Sequence, residues 1–143
     1  YYNLNLLRKD CFINKKFLKL YKKFCPGPIS FVLKLKEKSL ISKNVTNNKK
    51  TLAVRFPKHP LTRKLLSKLK YPLAAPSANI ATRISPVKKQ HVLDEFGKKI
   101  KFILDGGQSK IGVESTIINL IKKPQILRLG GLEKKKIKQI FKN

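Results

Sequence analysis

The sequence predicts an α/β domain built around a mixed, twisted β-sheet with flanking helices. Segments with the length and composition of strands alternate with segments of helical periodicity, which is typical of this class. The last two predicted strands, 113–121 and 125–129, are separated only by a Lys-Lys-Pro turn and should pair as an antiparallel hairpin. Such a hairpin excludes a purely parallel sheet. The 143 residues suit one domain with its own core.

Four segments carry the signals of helices. In the first, Phe17 belongs to an apolar stripe at helical spacing, and a Pro-Gly-Pro string ends the helix. In the second, Pro60 occupies the first turn, where a proline fits because its missing N–H is not needed. In the third, Val92, Leu93 and Phe96 should point inward. The predicted helices are 13–24, 60–70, 88–98 and 133–142.

Six apolar segments are predicted strands, and polar loops separate several of them. The polar segment 36–50 should be one exposed loop, and the Ser-, Asn- and Pro-rich segment 77–87 should be another. The predicted strands are 29–35, 51–56, 73–75, 101–104, 113–121 and 125–129.

The chain is strongly basic, with 34 Lys and Arg against 7 Asp and Glu and a net charge of +27. Two interpretations are open. Lys and Arg neutralise phosphates, so the charge could serve nucleic-acid binding. Most of the basic residues are Lys, however, spread without a dominant block, which favours a solvated Lys-rich surface. No apolar stretch approaches the roughly 20 residues of a membrane span, so no membrane partner is expected.

Metal, P-loop and thiol chemistry find little support in the sequence. The glycines of 107–112 have P-loop spacing, but Val113 and Glu114 stand where that motif needs Lys and Ser or Thr. Two cysteines are typical of a reducing compartment, so a cytoplasmic location is expected. Residues of zinc-ligand type occur singly and are predicted to be structural: Cys11, Cys25, His59 and His91.

An arginine on a predicted strand points to an anionic ligand. Thr51 and Arg55 lie four residues apart in the string TLAVRF, so their side chains should share one face of the sheet. An Arg among apolar residues is costly to bury without an anion, and its planar fork matches a carboxylate. A neighbouring Asp or Glu is the alternative partner, but the chain contains only 7 acidic residues. A ligand is therefore favoured.

Three further polar clusters stand beside predicted strands. Ser77 and Asn79, in the string PSAN, can hold phosphate oxygens or simply form a turn. Ser115 lies in the string GVEST, and Arg128 ends a strand beside two glycines. Together with the Thr51 and Arg55 pair, these clusters contain two arginines but no acid/base pair, so no catalytic residue is assigned. They favour binding of an anionic, phosphate-bearing ligand over hydrolysis.

Five strings of the chain, taken in order, resemble the YrdC/TsaC family of threonylcarbamoyl-AMP synthases. The resemblance extends over nearly the whole chain, and the PSAN and GVEST strings are its most specific parts. The five strings are FCPGPISFVLK (24–34), TLAVRFPKHPL (51–61), PLAAPSANIATRISPV (72–87), ILDGGQSKIGVESTIINL (103–120) and ILRLGGL (126–132).

The resemblance implies a single YrdC-like domain, 1–143, and an activity. Such enzymes combine L-threonine, bicarbonate or CO₂, and ATP into threonylcarbamoyl-adenylate and pyrophosphate, with Mg²⁺ entering alongside ATP and no protein ligand for it identified here. The product supplies the N6-threonylcarbamoyl group of adenosine 37 in tRNA through a downstream tRNA threonylcarbamoyl transferase machinery. The residues implied are Thr51, Ala75, Ser77 and Arg128 for ATP, Arg55 and Ser115 for threonine, and Asn79 in support.

The chain departs from the family pattern in places. Cys25 stands where the family usually has Trp before Pro-Gly-Pro. The family's N-terminal strand and its K-x-R-P stretch are absent from these residues, so we expect an N-terminally incomplete synthase domain that is inactive alone. Pyrophosphate release by this chain with ATP and threonine would refute that expectation.

The high net positive charge leaves a different class of function open. The alternative is a basic module of the same fold that binds tRNA or double-stranded RNA without synthase activity. The chain lacks the aromatic string of an RRM and the GXXG loop of a KH domain, which counts against it.

Overall fold

The computed structural model describes residues 1–97 and 99–141 and contains a four-stranded sheet flanked by helices. The strands are β1 (Ile29–Lys34), β2 (Thr51–Arg55), β3 (Thr116–Asn119) and β4 (Gln125–Arg128). The helices are α1 (Leu4–Asp10), α2 (Lys15–Phe24), α3 (Lys43–Thr46), α4 (Pro60–Ser67), α5 (Lys89–Phe96) and α6 (Lys134–Ile140).

The sheet is mixed, as the sequence predicts. Its strand order is β2-β1-β3-β4, with β1 antiparallel to β2 and parallel to β3. The predicted hairpin is β3–β4, which is antiparallel and carries a register shift between Ile117 and Ile118. The predicted fold class is therefore confirmed.

One face of the sheet packs on helices and forms the core. Alternate residues of β1 point into it, and Ile29, Phe31 and Leu33 are each at most 1% exposed. The rings of Phe17 in α2 and Phe31 in β1 meet edge to face, with centroids 4.9 Å apart. The other residues buried here include Leu7, Leu20, Leu52, Val54, Ile118, Leu120 and Ile137.

Two asparagines begin the N-terminal helices. The Asn3 side chain accepts a hydrogen bond from the Leu6 N–H at 3.0 Å, and α1 follows, a helix that the sequence analysis missed. The Asn14 side chain accepts from the Phe17 N–H at 2.8 Å and donates to the Leu120 carbonyl at 2.8 Å. Asn14 thus caps α2 and also ties it to the end of β3.

Two predicted strands, 73–75 and 101–104, are wrong. Both segments are irregular in the structure. Prolines flank the first on both sides and supply no N–H for a ladder, and no strand of the described sheet pairs with either. Phe102 is 91% exposed and Leu104 60%, so neither is anchored by burial.

The remaining helix predictions hold with small changes. α2, α4, α5 and α6 lie within the four predicted segments, and a short helix, α3, interrupts the loop predicted for 36–50. In α5, Val92 and Phe96 are half-buried, but Leu93 is exposed, so the predicted inward set is only partly correct. Lys98 and Lys142, the predicted last residues of two helices, lie outside the described residues.

Membrane crossing by a helix finds no support in the structure. Over residues 1–97 and 99–141, the helices are all too short or too polar to span a bilayer.

Replacing Phe31 by Ala tests the core described above. We expect a loss of about 3–5 kcal/mol in the free energy of unfolding, since the change deletes a fully buried ring and leaves a cavity against Phe17. Urea denaturation measures it. Leu40→Ala is the control, because Leu40 is 98% exposed and its loss should change stability by less than about 0.5 kcal/mol. Equal effects of the two changes would contradict this core.

Candidate functional site

The face of the sheet opposite the helices carries a row of residues, one from each strand, with an arginine at each end. In register, Arg55 of β2 lies opposite Ser30 of β1, Ser30 opposite Ile117 of β3, and Ile117 opposite Arg128 of β4. Because paired residues share a face, the two arginines flank this row on one surface. Three interstrand spacings of about 4.8 Å place their backbones roughly 14 Å apart.

Arg55 lacks a protein anion within the described part of the chain. Within the described residues, the Arg55 guanidinium forms no ion pair and no side-chain hydrogen bond. The residue as a whole is exposed. Partial desolvation lowers the pKa of Arg55, and the positive charge of Arg128 lowers it further. An anion between the two guanidinium groups would offset both effects. The anionic ligand that the sequence predicts for Arg55 stays a prediction.

Arg128 is held in place by the segment before β3. Its guanidinium forms an ion pair with Glu114 and donates to the Ser115 carbonyl from Nε at 3.2 Å and from Nη2 at 2.9 Å. The Arg128 and Glu114 side chains are each 40% exposed, so the ion pair itself adds at most about 1 kcal/mol to stability. The contacts fix the direction of Arg128 more than they stabilise the fold.

A pair of buried hydroxyls lies between the two arginines. Ser30 Oγ and Ser115 Oγ are 2.8 Å apart, and the residues are 9% and 5% exposed. Arg128 Nη2 also donates to Ser115 Oγ at 3.4 Å. Sequence reasoning selected Ser115 but missed Ser30, whose only signal was a hydroxyl inside the apolar string ISFVLK.

Thr116 and Gly130 fix the position of Ser115. The buried Thr116 hydroxyl donates to the Leu132 carbonyl at 2.7 Å and accepts from the Gly130 N–H at 2.9 Å. Any side chain at Gly130 would clash with the backbone of Glu114 and Ser115. The segments GVEST and RLGG therefore pack closely against each other. Neither string predicts this contact by itself.

The PSAN loop lies in the exposed segment between α4 and α5. Ala75 and Ser77 are exposed, and no described hydrogen bond joins either to the arginine row. Asn79 donates from Nδ2 to the carbonyls of Ile80 and Arg83, at 3.1 and 2.8 Å, and so closes a turn. The structure thus supports a local structural role for Asn79 and leaves the nucleotide roles of Ala75 and Ser77 as predictions.

Thr51 and the loop after PSAN are related to the row in different ways. Thr51 begins β2 and shares the face of Arg55, about 13 Å away along the strand. The Ser85 hydroxyl donates to Glu114 Oε1 at 3.1 Å, which connects the loop after PSAN to the Glu114–Arg128 ion pair. Arg128 therefore contacts Ser115 directly, and strand register places Arg55 and Thr51 on the same surface.

The thiols are poorly suited to nucleophilic chemistry. Burial raises the pKa of the Cys11 thiol to about 12, with the Asp10 carboxylate adding to the effect. Burial likewise raises the pKa of the Cys25 thiol to about 12. The thiolate is the nucleophilic form, so both groups are inert near neutral pH. Nor do the described residues form any cluster of three or more His, Cys, Asp or Glu that could hold a metal ion.

Comparison with known proteins decides the family. A family profile named for Sua5, YciO and YrdC, and described as telomere recombination, matches residues 1–130. The chain belongs to this family. The threonylcarbamoyl-AMP synthase of Schizosaccharomyces pombe is 47% identical over 128 residues, which are 87% of this chain and 31% of that protein. The threonylcarbamoyl-AMP synthase of Pyrococcus abyssi is 42% identical over 85% of this chain and 36% of its own length.

A solved member of the Sua5/YciO/YrdC family matches the fold. The crystal structure of P. abyssi Sua5 complexed with L-threonine superposes with a TM-score of 0.91 at 38% identity, over 96% of this chain and 41% of that one. The family resemblance stated from the sequence is confirmed. The chain spans less than half the length of each of these relatives.

Gly130→Ala tests the packing of Gly130 against the backbone of Glu114 and Ser115. We expect a loss of roughly 1–3 kcal/mol in unfolding free energy, because the new methyl group overlaps the Glu114 carbonyl. Amide NMR signals of residues 114–116 should also shift. Gly106→Ala is the control, since a methyl group there meets only the His59 ring, 3.0 Å away, which can move. Unchanged signals at 114–116 in Gly130→Ala would contradict the proposed packing.

Proposed function

We propose that this chain carries the substrate-binding face of an L-threonylcarbamoyladenylate synthase. The reaction joins L-threonine, bicarbonate or CO₂, and ATP into threonylcarbamoyl-AMP and pyrophosphate. The observation that carries the proposal is the row in which Arg55 and Arg128 flank the Ser30–Ser115 hydroxyl pair. The names of the relatives and the L-threonine bound to P. abyssi Sua5 support it.

Threonine is assigned to the Arg55 end of the row. A carboxylate can accept two parallel hydrogen bonds from the Arg55 fork, which has no acidic partner in the described structure. The Ser115 hydroxyl lies toward the centre of the row and supplies a further polar contact. This arrangement recognises a small amino acid through its charged end.

The nucleotide is assigned to the Arg128 end. Arg128 is already directed by the Ser115 carbonyl, so a phosphate that replaces Glu114 as its partner needs little reorganisation. Thr51 lies on the same face of the sheet, and Ala75 and Ser77 belong to the loop that Ser85 connects to Glu114. We propose that these residues complete the ATP site, with Asn79 shaping the loop.

The chemistry proposed is alignment rather than acid–base catalysis. The neutral amine of threonine adds to the carbon of CO₂ and loses a proton to water, which gives a carbamate. A carbamate oxygen then attacks the α-phosphorus, and the bond from that phosphorus to the bridging oxygen breaks to release pyrophosphate. Arg128, which the Ser115 carbonyl holds in place before reaction, and Arg55 align the two anions, and their positive charges offset the charge that develops. Mg²⁺, which neutralises phosphate charge in such transfers, would enter together with ATP.

The proposed reaction precedes the transfer of the threonylcarbamoyl group to tRNA. We propose that a tRNA threonylcarbamoyl transferase machinery consumes the adenylate, and that the chain works in the cytoplasm.

RNA binding without synthesis is the second candidate, favoured by the lysines of α2 and α6. Two shallow grooves on that helix face are lined by Lys19, Lys22, Lys23, Lys134, Lys135 and Lys138. They lie on the opposite side of the sheet from the arginine row.

Arg55→Ala tests the proposed function through L-threonine binding. We expect binding to the 143-residue chain, measured by isothermal titration calorimetry, to weaken about 10- to 100-fold, since a charged hydrogen bond contributes about 1.5–3 kcal/mol. Arg55→Lys should bind L-threonine with an affinity between those of the unchanged chain and Arg55→Ala. It keeps the positive charge but loses the planar guanidinium fork. Arg8→Ala is the matched control, being an exposed arginine in α1.

Two outcomes would overturn the proposal. One is an absence of threonine binding to the unchanged chain, and the other is equal affinity in Arg55→Ala and Arg8→Ala. The RNA-binding alternative is then supported if tRNA affinity falls steeply with salt and depends on the α2 and α6 lysines but not on Arg55.

A further inference from the structure

We propose that Ser30 is a positioning residue that turns the Ser115 hydroxyl into a hydrogen-bond donor for the carboxylate of threonine. The inference rests on the proposed function and assigns a role to a residue outside the predicted site set. Ser30 acts through Ser115, and its own contact is with that hydroxyl, 2.8 Å away.

The position of Ser30 singles it out within β1. It is the register partner of Arg55 on one side and of Ile117, next to Arg128, on the other. Its neighbours Ile29 and Phe31 point to the core and are fully buried. Ser30 therefore puts the hydroxyl of β1 in the centre of the row, on the open face of the sheet.

Either hydroxyl of the pair can donate, and the proposed direction, from Ser30 to Ser115, decides what Ser115 offers to a ligand. A hydroxyl oxygen has two lone pairs and one hydrogen. Arg128 Nη2 donates to one lone pair of Ser115 Oγ, at 3.4 Å. When Ser30 donates to the other, both lone pairs of Ser115 are engaged, and its hydrogen is left for an outside acceptor. Between two guanidinium groups that acceptor is an anion, and Arg55 already favours a carboxylate.

The low exposure of the pair makes this arrangement hard to replace by water. Ser30 is 9% exposed and Ser115 is 5% exposed, so few water molecules can take over a lost partner. Without the Ser30 hydroxyl, Ser115 regains a free lone pair and rotational freedom. It then presents an acceptor toward the carboxylate for part of the time, which weakens threonine binding while the Arg128 contacts to the Ser115 carbonyl stay intact.

The test is a double-mutant cycle on threonine affinity by calorimetry, using Ser30→Ala, Ser115→Ala and the double variant. We expect Ser30→Ala to weaken L-threonine binding about 3- to 10-fold, as for one neutral hydrogen bond, and to change ATP binding less than about two-fold. The double variant should bind no more weakly than Ser115→Ala, because Ser30 acts through Ser115. Ser30→Thr, which keeps a hydroxyl, should restore binding to within about two-fold of the unchanged chain.

The controls separate folding from binding. Ser39→Ala removes a hydroxyl that donates to Asp10 Oδ1 at 2.7 Å, away from the row, and should leave threonine affinity unchanged. Ser30→Cys, with a weak donor of similar size, replaces Ser30→Ala if the latter does not fold.

Each adverse result has a separate meaning. Unchanged affinity in Ser30→Ala, or full additivity with Ser115→Ala, overturns the role of Ser30 and leaves the proposed function standing. Failure of the unchanged chain to bind threonine overturns both.

Discussion

The parallel pairing of β1 with β3 is the contact on which the site depends. It places Ser30 beside Ser115, which is 85 residues away in the sequence. The strings ISFVLK and GVEST therefore meet at one surface. The same pairing buries Phe31 against Ile118 on the opposite face. Core packing therefore sets the register, and the register in turn sets the spacing of the polar row. A one-residue slip of β3 against β1 would turn the side chains of β3 to the other face and separate Ser115 from Ser30.

Charge is distributed in two distinct ways over this molecule. The net charge of +27 comes mostly from lysines at the surface, including those on α2 and α6. The positive charge of the proposed site comes from Arg55 on β2 and Arg128 on β4, and the charge of Arg128 contributes to lowering the pKa of Arg55. A diffuse lysine surface attracts polyanions without selecting among them, whereas two oriented guanidinium groups select ligands with anionic ends.

Sequence patterns predicted the parts of the fold and site that depend on local signals. Alternation in TLAVRF placed Thr51 and Arg55 on one face, and the scarcity of acids indicated a ligand for Arg55. Long-range contacts were beyond reach, since no local pattern reports which hydroxyl meets Ser115 or that Gly130 packs on Glu114. The false strand at 73–75 had the right composition but no neighbouring strand to pair with, and α1 was missed because its stripe is only two turns long.

Arginine side-chain NMR gives the most direct test of the central claim that the Arg55–Arg128 row is a single anion-binding surface. The chain has five arginines, Arg8, Arg55, Arg63, Arg83 and Arg128, so their Nε–H signals can be followed separately as L-threonine and ATP are added. We predict that the signals of Arg55 and Arg128 shift, that L-threonine alone shifts chiefly Arg55, and that Arg8 and Arg63 stay unchanged. Equal shifts at all five arginines, or shifts that leave out Arg55 and Arg128, would contradict the account.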